Sequence, residues 1–369
     1  MAKKNYRSMV YTDLHVHAHK DRVDRLHHCI DVQDWVFRKA AEYDCRYIFF
    51  LGDLFHDQDK IDVLTYLRTF ECFMKHMIDD AADRDVYLMV GNHDMYLKHR
   101  WDVNSVKPFS AIPRVHLIDK PTQMVIGDRK IDWMPHTHSP MKLLDELKAK
   151  NGGAGDILFG HLAVHGATLN TFFGTKADVI NEYDNEMVPV EAKVFDDWGM
   201  TILGHYHAAQ KLNDKVEYLG SPLQLSFGES FQKKHIMMLD LETLEKEYIE
   251  NDFSPKHLII KPNDITDGNY DLTGQFLRLE VPEMSAKNLI DLKMEIARAH
   301  KPLSLDVKPP EKKTEEDKTV IENARTIIKN VNDMLTTYVE SKGVPDGLDP
   351  DRIKRTGLRC LTKRAQGSK

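Results

Sequence analysis

The sequence predicts an α/β fold in which two packed sheets carry helices on their outer faces. Two observations carry this. Short apolar runs recur along the first 241 residues, each closing on a polar cluster with Gly or Asp, as strands buried on both faces do. Between the first three runs lie two stretches of helical periodicity, which gives β-α-β-α-β and a largely parallel sheet.

The first three runs are Met9-Val10-Tyr11, Tyr47–Leu51 and Val86–Val90, and the helical patterns between them span Asp31–Tyr43 and Ile61–Ile78. Further strands are expected at Lys130–Trp133, after the Gly127-Asp128 turn, and at Ile157–Phe159, Thr201–Leu203, Val216–Leu219 and His235–Leu241. Near Pro255 the composition changes. Residues 256–310 read as a small unit with a strand at Phe276–Val281, a helix at Ser285–His300 and a strand at Leu303–Val307. Pro309-Pro310 and the charged run that follows mark a linker over 311–319. A long helix at Val320–Ser341 and a shorter one at Pro350–Leu361 are expected in 320–369.

With 41% hydrophobic and 30% charged residues, the 369-residue chain is neither disordered nor fibrous. Its four cysteines, Cys29, Cys45, Cys72 and Cys360, show no paired spacing, which argues against a disulfide framework or a thiolate metal site. No apolar run approaches membrane-spanning length, so a soluble cytoplasmic protein with no membrane partner is expected. The net charge of −7 is uneven: from Arg352 onward there are seven Lys or Arg and no Asp or Glu. That basic tail suits a phosphate backbone or an acidic partner, and equally a solvated end. Of 19 histidines, 16 fall in the first 210 residues, which points to metal chemistry in that half.

Five clusters sit where strands end. They are Asp13-Leu14-His15, Gly52-Asp53-Leu54-Phe55-His56, Gly91-Asn92-His93-Asp94, Gly160-His161 and Gly204-His205-Tyr206-His207. In open α/β sheets, ligands bind beyond the carboxyl ends of the strands, so these clusters can converge. Extended chain would turn Asp13 and His15 to one side, and likewise His205 and His207. Two carboxylates, one amide oxygen and four imidazoles without a thiolate suit Mn²⁺, Fe²⁺ or Zn²⁺ better than the all-oxygen preference of Mg²⁺ or Ca²⁺. Seven ligands are too many for one ion with an open position. Two ions sharing a carboxylate use them well and form a clamp for in-line attack on a phosphate ester.

In order and chemistry these clusters resemble the five motifs of the calcineurin-like metallophosphoesterase superfamily. The Leu-Phe-His extension at Leu54–His56, the segments Tyr218–Pro222 and Ser226–Glu229, and the appended C-terminal unit are similar to its SbcD-type recombination and repair nucleases. The likeness covers about residues 8–250 well and 256–365 more loosely. It implies a four-layer α/β/β/α metallophosphoesterase sandwich with a small α+β capping domain and C-terminal helices. The implied division is a nuclease domain at 1–255, a DNA-contacting cap at 256–310, the linker, and partner-binding helices with the basic tail at 320–369.

Carried over residue by residue, the resemblance puts one metal on Asp13, His15, Asp53 and His207. The second falls on Asp53, Asn92, His161 and His205, with Asp53 bridging. Water activated by both cations would attack the phosphorus, and His93 would serve as general acid or as a donor to developing charge, with Asp94 orienting its imidazole. His56 resembles the family's second active-site histidine. The resemblance further implies two divalent ions, Mn²⁺ first and Mg²⁺, Fe²⁺ or Zn²⁺ as alternatives. It implies DNA as substrate, an SbcC-type SMC-like ATPase partner and a homodimer. Met334, Leu335, Tyr338, Val339, Leu358 and Leu361 would form the docking face for the ATPase, unless they pack on their own domain.

Each assignment has a plainer rival. His161 competes with His165 and is preferred because a strand and Gly160 precede it. His17 and His19 are read as pocket-rim or incidental residues, since the chain should turn away after His15. His136 and His138 are placed in a solvated loop in preference to the substrate groove, and Tyr206 is open between packing and substrate contact. The apolar stripe Leu64, Leu67, Cys72, Phe73 and Met77 reads as core packing, with dimerisation resting on resemblance alone. The expected activity is a Mn²⁺-dependent 3′→5′ double-strand exonuclease and single-strand endonuclease in recombination and repair. The alternative enzyme class is a metallophosphoesterase for small phosphodiesters, nucleotides or phosphoproteins. A scaffold with a dead site is disfavoured because all seven ligands and His93 are present.

Overall fold

The computed structural model describes residues 5–18, 23–79, 83–97, 100–170, 175–176, 189–266, 271–282 and 284–308. The chain begins β1 (Arg7–Tyr11), α1 (Val23–Glu42), β2 (Tyr47–Phe50), α2 (Val63–Asp79) and β3 (Asp85–Met89). A hairpin of β4 (Met95–Leu97) and β5 (Arg100–Asn104) precedes β6 (Val115–Ile118), β7 (Thr122–Ile126) and β8 (Arg129–Met134). Next come α3 (Pro140–Asn151), β9 (Ile157–His161), the short pair β10 (Thr168–Asn170) and β11 (Thr175–Lys176), and β12 (Met200–Gly204). Strands β13 (Gln210–Lys211), β14 (Val216–Tyr218), β15 (His235–Asp240) and β16 (Lys246–Glu250) complete two six-stranded sheets.

The first sheet has the order β16-β15-β1-β2-β3-β6 and the second β13-β14-β12-β9-β8-β7. Within them β1, β2, β3 and β6 are mutually parallel, as are β8, β9, β12 and β14. Strand alternation builds the layers. Val10 and Phe49 point into the space between the sheets, where they meet Trp133, Ile157, Phe159 and Ile202. Their neighbours Met9, Tyr11, Ile48 and Phe50 point the other way, onto α1 and α2 through Leu26, Val36 and Phe73. Leu158, Leu203 and Tyr218 likewise cover the outer face of the second sheet together with Leu144 and Leu147 of α3. The result is the expected α/β/β/α sandwich, with aromatic contacts such as Phe49 on Phe159 at 5.2 Å tying the inner faces together.

Two helical expectations are revised. Helix α1 starts at Val23, eight residues before the expected Asp31, because Leu26, Cys29, Val32 and Val36 continue one buried stripe across the polar pair His27-His28. The apolar stripe of α2 splits: Cys72, Phe73 and Met77 are buried, whereas Leu64 and Leu67 are 40% and 46% exposed. Strands β6, β7, β16 and helix α3 are additions to the sequence reading.

After Pro255, β17 (His257–Ile260), α4 (Pro262–Thr266), β18 (Phe276–Glu280), α5 (Ala286–His300) and β19 (Ser304–Lys308) form a three-stranded parallel sheet in that order, with its own core of Leu258, Ile260, Leu277, Leu279 and Ile296. Ser285 caps α5 by accepting the Asn288 N–H. The expected linker at 311–319, the helices of 320–369 and the docking residues on them lie outside the described residues, as does Cys360. Cys29, Cys45 and Cys72 are free thiols. Among the described residues no helix is long and apolar enough to cross a membrane.

Candidate metal centre

The five clusters meet at one edge because their strands are parallel within each sheet and the sheets are stacked. Asp13 follows β1, Asp53 follows β2, Asn92 follows β3, His161 ends β9 and His205 follows β12. Strand alternation is not what aims them. Asp13, His15, Asp53 and His205 all have positive φ, at 52°, 48°, 60° and 99°, which side-chain-bearing residues rarely adopt. Each such residue costs on the order of 1–3 kcal/mol and persists only where its surroundings fix it. Here the Asp13 and His15 N–H groups bond the Gly52 and Asp53 carbonyls at 2.9 and 3.1 Å, locking the β1 loop to the β2 loop.

Two glycines let these loops close. Gly52 has φ 105°, and a Cβ there would lie 2.5 Å from His161 Nδ1. A Cβ on Gly91 would overlap Asp53 Oδ1. Gly52 is required for conformation as well as space, and Gly91 for space alone.

The donor atoms form two groups. Asp13, His15 and His207 offer atoms within 4.8 Å of one another, and so do Asp53, His161 and His205. Asn92 Oδ1 joins the second, 2.9 Å from His161 Nε2 and 3.0 Å from His205 Nδ1. Asp53 Oδ2 stands between the groups, 3.6 Å from His15 Nε2 and 3.3 Å from His161 Nε2. All seven expected ligands are therefore brought together, with Asp53 in the shared position.

The set fits divalent cations on its own terms. Two donors at right angles, each ~2.1 Å from one ion, are ~3.0 Å apart. His15 Nε2 and His207 Nε2 face each other at 3.0 Å. Asp13 and Asp53 are both buried, and among the described residues the ion pairs they make are with imidazoles. Buried carboxylates without a cation are costly, and a metal removes that cost. Asp53 and His161 form a charged pair within the cluster. Burial opposes it, but Asp53 holds His161 protonated up to about 9, and His161 in turn keeps Asp53 well below the carboxylate range. Burial and the charge of His207 push His15 down, and burial with the charge of His161 does the same to His205.

His93 lies beside the first group: its ring centroid is 4.7 Å from that of His15, and its ring is stacked at 5.7 Å on His56. His15, His56 and His93 form a third set of nitrogens within 4.8 Å. His93 Nδ1 donates to the His56 carbonyl at 2.5 Å, so Nε2 is the nitrogen left for chemistry. The expected role of Asp94 as orienter of His93 is corrected here. Its Oδ2 accepts the Asp53 and Gly91 N–H groups and its Oδ1 those of Leu54 and Phe55, so it shapes the metal loops instead. Burial and the nearby Asp53 charge raise its pKa to about 6.

The sequence reading gave no role to Glu229, which lay in the Ser226–Glu229 segment only as a mark of resemblance. It accepts from His207 Nδ1 at 3.0 Å and pairs with buried Lys234 at 2.7 Å. Burial opposes ionisation, yet Lys234 and His207 hold the Glu229 carboxyl at about 2, and the Glu229 bond raises His207.

The remaining histidines separate. His17 is buried at the rim, its ring 4.5 Å from that of His56, because Val16 pairs with Phe55 and carries the chain along the β2 loop. His136 is 2% exposed, its ring 6.3 Å from both His161 and His205, so the solvated-loop expectation fails for it. His138 is half-buried beside it, with ring centroids 5.4 Å apart. His165 falls in neither donor group. Tyr206 is buried against Tyr218, which favours packing. His19 lies outside the described residues.

This fold, with clustered Asp, Asn and His donors at its carboxyl edge, defines a metal-dependent hydrolase of phosphate esters. The chain belongs to the calcineurin-like phosphoesterase family, which it matches over residues 6–209. Among individual proteins it is similar to exonuclease subunit 1 of Enterobacteria phage T4, with 24% identity over 306 residues and 82% of each chain covered. It is also similar to the putative phosphoesterase 078R of Invertebrate iridescent virus 3, with 26% identity over 226 residues and 58% of each chain covered. Solved structures resembling it include an archaeal phosphodiesterase (13% identity, 66% of this chain and 99% of that one, TM-score 0.33). Another is a dimetal phosphatase from Danio rerio (12% identity, 67% and 99%, TM-score 0.40).

Proposed function

We propose that this chain is the nuclease subunit of a two-component DNA-processing enzyme of the SbcD type, a Mn²⁺-dependent 3′→5′ exonuclease and single-strand endonuclease acting in recombination or repair. One observation carries the choice of DNA over a small phosphodiester. The likeness to a phage exonuclease subunit runs over 306 residues, whereas the phosphoesterase family match spans only 6–209, so it takes in chain well beyond the catalytic core.

In this reading Asp13, His15, Asp53 and His207 hold one ion, and Asp53, Asn92, His161 and His205 hold the other. What bound divalent ions supply is polarisation of a phosphoryl oxygen and a lowered pKa for water at the site. His93 Nε2 faces the scissile phosphate, and in its imidazolium form it donates to the leaving oxygen while Nδ1 stays anchored on the His56 carbonyl. His56 keeps that ring in place by stacking and by its carbonyl. Asp94 and Glu229 act on the ligands rather than on substrate.

Residues 1–310 are acidic overall, which disfavours tight unaided DNA binding. The reading therefore assigns DNA retention to the capping unit at 256–310 and to an SMC-like ATPase held by 320–369, with the exposed Leu64 and Leu67 of α2 available to a homodimer. The test is digestion of end-labelled duplex and single-stranded DNA with Mn²⁺ or Mg²⁺, with and without EDTA. Cleavage with Mn²⁺ that EDTA stops, and that His93→Ala loses while still binding DNA, is expected. No cleavage with any metal, alongside turnover of a small phosphodiester, would replace the nuclease reading with the alternative.

A further inference from the structure

Beside the second donor group lies a cavity of about 240 Å³ lined by residues such as Met95, Trp101, His136, Thr137, Ser139 and Lys142. Its walls come from the β4–β5 hairpin, which follows the Asn92–Asp94 cluster directly, and from the segment that links β8 to α3. His136 joins it to the metal centre: the ring lies 6.3 Å from His161 and from His205. The wall is fixed rather than loose. The His136 N–H bonds the Val90 carbonyl at 3.1 Å, and the Trp101 indole N–H bonds the His136 carbonyl at 2.8 Å.

The His136 side chain is 2% exposed, and among the described residues its Nδ1 has no hydrogen-bond partner. The Asp53 charge reaches the ring without bonding it, and an unbonded nitrogen at so buried a position is unusual, since buried polar groups are ordinarily satisfied. The lining combines one indole face, a thioether, the Leu143 side chain, two hydroxyls and the imidazoles of His136 and His138, with the Lys142 side chain 75% exposed. Drug-sized ligands fill clefts of ~300–1,000 Å³, so this one takes a smaller group. Aromatic faces with a few polar groups are how proteins hold a single unstacked base.

We propose that this cavity is a nucleoside subsite, in which Trp101 and His136 hold the base of the nucleotide adjoining the scissile phosphate. Both are positioning residues. They set which phosphodiester is presented, and they do not take part in bond cleavage. The identity of the ligand as a nucleotide rests on the nuclease reading above.

The test uses two esters that share a leaving group, thymidine 5′-(p-nitrophenyl phosphate) and methyl p-nitrophenyl phosphate, assayed on the full chain with Mn²⁺. Wild-type protein should prefer the thymidine ester by at least tenfold in kcat/KM. His136→Ala and Trp101→Leu should each raise KM for the thymidine ester about tenfold and leave kcat, and both constants for the methyl ester, within about twofold. Trp101→Phe, which keeps a ring, should restore most of the loss and so separates stacking from damage to the fold. Equal losses on both esters, or no preference in the wild type, would overturn the subsite. DNA digestion run in parallel keeps the two readings apart: selective turnover of the thymidine ester without DNA cleavage would sink the nuclease reading and leave the subsite standing.

Discussion

Asp94 holds Asp53 by its backbone: Asp94 Oδ2 accepts the Asp53 N–H at 2.9 Å, while Oδ1 accepts the next N–H, that of Leu54, at 2.9 Å. Asp53, whose carboxylate stands between the two donor groups, is thereby placed by a second, fully buried carboxylate on the β3 loop. Asp94→Asn replaces one acceptor oxygen with an NH₂ that faces N–H donors. The expected cost is about 2–4 kcal/mol of stability in urea unfolding, since buried donors lose their partners. Mn²⁺-dependent activity should fall with it. A large loss of kcat at unchanged stability would instead show that Asp94 acts in the chemistry.

Glu229 bears on the proposed metal site through His207. By accepting from Nδ1 it fixes that proton and leaves Nε2, the atom facing His15, free to act as the proposed ligand. Outer partners of this kind are worth about 10–100-fold in metal affinity. Glu229→Gln keeps an acceptor but loses the charge, so Mn²⁺ affinity measured by calorimetry should weaken about tenfold. Lys234 retains the His207 carbonyl, Ser221 and Gln232 as partners, so the fold should survive. Unchanged affinity would remove Glu229 from the site.

The residues of the two donor groups were legible in the sequence because each stands next to a buried strand, and strand ends are marked by apolar runs that stop at Gly or Asp. What could not be read was how they are aimed. Asp13 and His15 converge through left-handed backbone, not through strand alternation, and no local pattern announces a positive φ at Asp or His. Asp94 was found but misassigned, because nearness in sequence to His93 does not reveal that its oxygens reach back across the loop to residues 53–55. Glu229 contacts a histidine 22 residues away, a pairing that only the fold creates. His136 was placed in solvent because a polar loop after β8 looks the same whether a neighbouring hairpin covers it or not. The sandwich itself was readable from period-two burial, while edge strands such as β6, β7 and β16, half exposed and mixed in composition, were not.

Gly91→Ala tests the packing of the β2 loop against the β3 loop. Gly91 is not in the left-handed region, so the constraint is space: a Cβ there would occupy the place of Asp53 Oδ1. Overpacking of a rigid buried site costs roughly 1–3 kcal/mol, and the atom displaced here is the shared carboxylate. Thermal unfolding should show the loss, and Mn²⁺ binding should fall by far more than the stability change implies. Wild-type Mn²⁺ affinity in Gly91→Ala would contradict the assignment of Asp53 as the shared ligand.

Helices α1 and α2 meet at a charged seam away from the donor groups. Asp34 on α1 accepts from Arg38 Nε at 2.7 Å, from His76 Nε2 at 2.9 Å and from Lys75 Nζ at 3.1 Å, and the His76 ring is stacked on Phe37 at 4.6 Å. Partial burial opposes ionisation of Asp34, but the bonds from His76, Lys75 and Arg38 outweigh it and hold the carboxyl at about 2, below its ordinary 3.8. A group whose pKa is lower in the folded protein binds its proton more readily when unfolded. Its contribution is therefore complete above about pH 4 and disappears as the pH falls through about 2. Because the cluster is partly open to solvent, the contribution should be modest, about 1 kcal/mol. Asp34→Asn should thus be less stable than wild type by that amount at pH 7 in urea unfolding, and the gap should close between pH 4 and pH 2. A gap that persists unchanged at pH 2 would mean that packing at the seam, rather than the charge of Asp34, sets its stability.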